Sequence, residues 1–161
     1  MLYFSYGSNM STRRLIDRVP SAKFISVASL SEHKLKFHKK SKYGSAKCDA
    51  FRTNDSIDVM YGVIFEILAS EKPALDEKEG INNGYEEKHV TVVSDSGEKF
   101  TVVTYYATNI DASLKPCDWY IEHVLRGAQE HGLPIAYIEE IKAIESIPDP
   151  DNYEKEMQIY R

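Results

Sequence analysis

Two short segments combine residue types that can do chemistry. The first is Tyr6-Gly7-Ser8-Asn9, directly after an apolar, aromatic run. A Gly-Ser-Asn turn admits unusual backbone angles. Successive N–H groups in such a turn can converge on one point as an anion-binding nest. A plain strand-to-helix turn, with Asn9 capping locally, uses the same residues, and spacing does not separate the two. The second segment holds Asp76, Glu77 and Glu79, with Gly80 next. Most such acidic runs are solvated faces. If Gly80 ends a helix, however, Glu79 meets the negative end of the helix dipole. With partial burial its proton would be held more tightly, as a general acid/base requires.

Other chemistries lack their residues. The five histidines, His33, His38, His89, His123 and His131, form no metal-ligand spacing. His123 and His131 read most simply as helix-surface residues. Cys48 and Cys117 are far apart and suit no metal motif, so they read as two reduced thiols. No P-loop, dinucleotide fingerprint or nucleophile elbow occurs. Neither a metal nor a cofactor is expected. The net charge of −5 argues against nucleic acid or an anionic membrane as partner. No apolar run approaches membrane-span length, and the opening residues are too short for a signal peptide. A cytoplasmic location is expected.

The elements that must position these residues follow from pattern. Leu2–Tyr6 reads as a buried strand. Ser11 looks like the N-cap of a short helix over 12–17. Strands are expected over 24–30, 33–38 and 47–52, with the basic stretch 39–44 as a solvated turn. Val59–Leu68 is nearly all apolar and should be a central strand. A short acidic helix capped by Ser70 should end at Glu79, with Gly80 as its stop. Strands 85–93 and 99–106 should pair as a hairpin through the turn 94–97. Pro116 opens a helix with Ile121, Val124, Leu125 and Ala128 on its apolar face. Pro134 opens another, with Ile135, Ile138, Ile141 and Ile144 inward and Pro148 and Pro150 as its stop. The tail from about residue 147 has no assigned place. One α+β domain over 1–161 is expected, a mixed sheet or small barrel with peripheral helices.

Together these pieces resemble the γ-glutamylcyclotransferase (AIG2-like) family. Leu2–Met10 is similar to the family's Y-G-S-N signature after its first strand. Leu75-Asp76-Glu77-Lys78-Glu79-Gly80 looks like its L-D-x-x-E-G segment, whose glutamate is catalytic. Gly84-Tyr85 with Val90–Val92, Val102–Tyr105 and Gly132-Leu133-Pro134 with Tyr137 match later family segments. The resemblance spans roughly residues 2 to 145. Ser45–Ala50 looks more like bacterial members than animal ones. Asn9 points to the branch acting on γ-glutamyl amino acids.

The resemblance implies a nearly closed mixed β-barrel with helices around it, and often a homodimer. It implies Glu79 as catalytic acid/base and a γ-glutamyl small molecule as substrate, cyclised to 5-oxoproline with release of an amine. Gly7, Ser8 and Asn9 would bind the substrate, and Tyr85 and Tyr105 are candidate pocket walls. Tyr6 is wall or core, and plain packing is the competing role for each tyrosine. Two other readings stay open: the same chemistry on a γ-glutamyl metabolite whose leaving group is not an amino acid, and a non-catalytic module binding an acidic metabolite.

Overall fold

The structure is a computed structural model that describes residues 1–42 and 44–161. Tyr43, within the expected basic turn, lies outside the described residues. Five strands close a barrel in the order β1 (Leu2–Ser5), β5 (Val59–Glu66), β2 (Lys23–Ser31), β6 (Tyr85–Ser94) and β7 (Lys99–Ala107). Ring closure is the parallel pairing of β1 with β7 at Tyr3 and Val103. The other four pairings are antiparallel, so the sheet is mixed, as expected. Closure gives each barrel strand a neighbour on both sides. β5 is central: Val63, Ile64 and Phe65 are fully buried, as its unbroken apolar run indicates.

β3 (His33–Lys40) and β4 (Ala46–Arg52) form a separate two-stranded ribbon. The Asp49 carboxylate ties this ribbon to the barrel, accepting from the Ala107 N–H at 2.8 Å. The stretch expected as a turn over 39–44 begins in strand. Lys39 and Lys40 belong to β3 beyond a bulge between Phe37 and Lys39. Charge alone misplaces them, because a bulge carries a strand past the point where its alternation fails.

α1 (Thr12–Arg18) starts at Ser11, whose side chain accepts from the Arg14 N–H, as expected. α2 (Lys72–Glu79) starts after Glu71 rather than at Ser70, which lies in a preceding 3₁₀ turn. Its end is as expected: Gly80 adopts φ 70°, which a residue without Cβ takes most easily. α3 (Asp118–Glu130) and α4 (Ile135–Lys142) pack on the barrel. In α4 the buried face is Tyr137, Ile138 and Ile141. Ile135 is 79 % exposed and Ile144 37 % exposed, correcting their inward assignment. Ile135 is the first residue of the helix, at the edge of that stripe, and Ile144 follows the helix end.

The C-terminal tail forms α5 (Pro150–Met157), with Pro150 at its start rather than acting as a stop. It docks through a buried polar cluster. His123, expected on the surface, is fully buried. Its ring lies between Arg14 Nη1 (3.1 Å), Glu156 Oε2 (3.1 Å) and the Tyr160 hydroxyl (2.6 Å). His131 is likewise enclosed, beside Glu130 and the Met10 carbonyl. Polar type suggested exposure, but long-range partners satisfy these rings inside.

The hydrogen bond from His123, with Arg14 beside it, holds the Glu156 carboxyl down at about 2. A carboxyl depressed in the fold stabilises it above its unfolded value of about 4.3, and that contribution is lost as pH falls through the folded value. Glu156→Gln should therefore unfold at lower urea concentration than the native protein at pH 7. The gap should close as pH falls from about 4 toward 2. A gap of constant size across that range would contradict the docking cluster.

Candidate active site

β1 delivers Tyr6 and Gly7 at its end, and the chain then turns through the 3₁₀ segment Ser8–Met10. That turn rests directly on α3. A Cβ at Gly127 would lie 2.5 Å from the backbone of Met10 and Ser11, so only glycine permits the approach. The first N–H groups of a helical turn lack intrahelical acceptors. Those of Ser8 and Asn9 have no backbone acceptor among the described residues.

Glu79 arrives from elsewhere in the chain, as the last residue of α2. Leu75 is fully buried and anchors that helix. Asp76 anchors it again, paired with Lys72 and accepting the Tyr105 hydroxyl at 2.5 Å. The half-buried Glu79 carboxylate then meets the turn. The Asn9 amide donates to its Oε1 at 2.6 Å, and the Tyr3 hydroxyl donates at 3.5 Å. Arg18 Nη1 donates to the Asn9 Oδ1 at 3.2 Å. A guanidinium can only donate, so Arg18 turns the Asn9 carbonyl to itself and the NH₂ toward Glu79.

All seven residues singled out in the sequence line one cavity, with an empty volume of about 280 Å³. Tyr6, Tyr85 and Tyr105 contribute ring walls, and Gly7, Ser8, Asn9 and Glu79 contribute the polar groups. The tyrosine hydroxyls are engaged with the fold. Tyr6 donates to the Tyr105 carbonyl at 2.7 Å, and Tyr85 donates to the Cys48 carbonyl at 2.5 Å. Burial pushes both hydroxyls well above the ordinary tyrosine range, so both stay neutral donors. Tyr105 is raised in the same way, with the Asp76 bond adding to burial.

Sequence reasoning missed Tyr3, Ser5, Cys48 and Tyr120 in the lining and Arg18 behind Asn9. Tyr3 and Ser5 carried a signal. They alternate with Phe4, so one side of β1 faces the site. Ser5 is 1 % exposed, and its hydroxyl has no hydrogen-bond partner among the described residues. A buried polar group left open in this way is a natural ligand contact. Burial drives the Cys48 thiol up, the opposite of what a nucleophilic cysteine needs. Arg18 and Tyr120 gave no local signal, because they reach the site only through the fold. Among the described residues no cluster of three His, Cys, Asp or Glu side chains could hold a metal ion.

The Tyr85 hydroxyl holds the β3–β4 ribbon to the barrel wall. Tyr85→Phe should leave the Cys48 carbonyl without that donor and destabilise the protein by about 1–2 kcal/mol. Urea unfolding would read this, and an unchanged midpoint would contradict the structural role of the hydroxyl.

The AIG2-like family model matches residues 59–141. A Homo sapiens γ-glutamylcyclotransferase is 36 % identical over 156 residues, covering 94 % of this chain and 80 % of its own length. The Bos taurus protein of the same name is 35 % identical with the same coverage. A solved γ-glutamyl cyclotransferase superposes with a TM-score of 0.86 at 32 % identity, covering 98 % of both chains. The closed mixed barrel agrees with that likeness. The chain belongs to the γ-glutamylcyclotransferase family of enzymes.

Proposed function

We propose that this enzyme cyclises γ-glutamyl amino acids to 5-oxoproline, with Glu79 as acid/base and the turn at Gly7-Ser8-Asn9 as substrate cradle. The observation that carries this reading is the 2.6 Å hydrogen bond between Asn9 and Glu79. It supports the reading because it joins the Glu79 carboxylate to the turn whose residues Ser8 and Asn9 line the same small cavity.

The reaction is intramolecular. The α-nitrogen of the glutamyl group attacks its own γ-carbonyl carbon, and a new C–N bond closes a five-membered ring. The bond from that carbon to the leaving nitrogen then breaks. The α-ammonium loses two protons in becoming the lactam N–H, and the departing nitrogen gains two in becoming an ammonium. Glu79 takes a proton from the first nitrogen and returns it to the second. No redox step or external nucleophile enters.

Two needs remain for the protein. The flexible glutamyl chain must be folded so that its ends meet, and good positioning can be worth an effective molarity of ~10⁵ M or more. The enclosed ring walls of Tyr6, Tyr85 and Tyr105 suit that role. Charge growing on the carbonyl oxygen must also be met by fixed donors. The N–H groups of Ser8 and Asn9 and the unpartnered Ser5 hydroxyl supply candidates within the same cavity.

Glu79→Gln keeps the shape and the Asn9 contact but removes the proton shuttle. Release of 5-oxoproline from a panel of γ-glutamyl amino acids should fall by roughly 10²–10⁴-fold, with the folded structure retained by circular dichroism. Release at the native rate would reject Glu79 as the acid/base. No release from any substrate by the native protein would reject the cyclisation.

A further inference from the structure

Glu79 borders two spaces. Inside lies the tyrosine-walled cavity, and outside lies an open cleft with an empty volume of about 920 Å³. Lys39, Lys40, Lys42, Lys47 and Lys78 line the outer cleft, and Glu79 is its one carboxylate among the described residues. This concentration of positive charge runs against a chain whose net charge is −5.

From this arrangement we infer that the enzyme prefers γ-glutamyl compounds whose leaving residue carries additional negative charge, such as an acidic amino acid. The inference rests on the cyclisation proposed above and names its substrate class. With the glutamyl group in the inner cavity and its γ-carbonyl at Glu79, the leaving residue extends into the lysine cleft.

Two features show that the lysines are more than a solvated face. First, Lys39 and Lys47 are direct partners across the β3–β4 ribbon. Like charges directly opposite each other destabilise a strand pair. Second, Lys39 is only 6 % exposed, and neither lysine has a carboxylate within salt-bridge reach among the described residues. Lys39 Nζ instead sits 4.8 Å from the ring centre of Tyr85, a wall of the inner cavity. Burial lowers the proton affinity of both ammonium groups, and the Glu79 charge opposes that fall. A bound dicarboxylate would relieve both the repulsion and the desolvation, since a buried charge requires an opposite partner. A leaving residue with a single α-carboxylate supplies one such partner, and an acidic side chain supplies a second.

The test compares γ-glutamyl-glutamate with γ-glutamyl-alanine on the native protein and on Lys39→Met and Lys47→Met. Both kcat/KM from 5-oxoproline release and Kd from calorimetry are read. One extra charge-assisted hydrogen bond corresponds to about tenfold. The native protein should favour the acidic substrate by at least that factor, less so at high salt. The ratio should fall toward one in each variant. A native ratio near one would overturn the inference. So would variants that lose both substrates equally with the ratio intact, because that is the mark of a structural role. If neither compound is turned over, tighter binding of γ-glutamyl-glutamate would keep the lysine specificity and reject the cyclisation. Equal affinities would then reject both.

Discussion

The hydrogen bond from the Asn9 amide to the Glu79 carboxylate, 2.6 Å long, joins residues 70 positions apart. One belongs to the turn after the first strand and the other to the last position of a short helix. Neither segment has a local reason to lie beside the other. Each is fixed from behind instead. Gly127 lets α3 press against the Ser8–Met10 turn, while Leu75 and Asp76 pin α2 to the barrel. Arg18 then sets the direction of the Asn9 amide. A displacement of about 1 Å at a reacting group can cost ~10²-fold in rate, so this double fixing gives a helix end the precision that the proposed proton transfer needs.

The tyrosines around the cavity illustrate how one residue type serves two ends. Their rings form the walls, and their hydroxyls hold the fold. Tyr85 and Tyr120 each bond the Cys48 backbone, and Tyr6 bonds the Tyr105 carbonyl. The β3–β4 ribbon is thereby fastened over one side of the site, and it brings Lys39 and Lys47 to the outer face of Glu79. Positioning of the inner cavity and charging of the outer cleft are thus consequences of the same contacts.

Much of this arrangement was legible in the sequence, for identifiable reasons. The unbroken apolar run of β5 and the β6–β7 pair around Gly97 gave the barrel its clearest strands. Gly80 marked the end of α2 and so singled out Glu79 among its acidic neighbours. What stayed hidden depends on distant partners. His123 looked like a surface residue until Arg14, Glu156 and Tyr160 enclosed it. Lys39 and Lys40 looked like loop because the bulge that keeps them in β3 has no signature of its own. Ser5 was legible as the one small polar side chain in an aromatic strand. Arg18 was not, because its role exists only through Asn9.

The proposed cyclisation needs a single cavity to hold the glutamyl group between the turn and Glu79. A crystal structure with 5-oxoproline bound tests it most directly. The ring should lie inside the tyrosine walls, with its amide within hydrogen-bond reach of the Glu79 carboxylate and an oxygen facing the Ser8 and Asn9 N–H groups. A ring bound in another pocket, or one that touches the turn while Glu79 faces away from it, would rule out Glu79 as the acid/base at this turn.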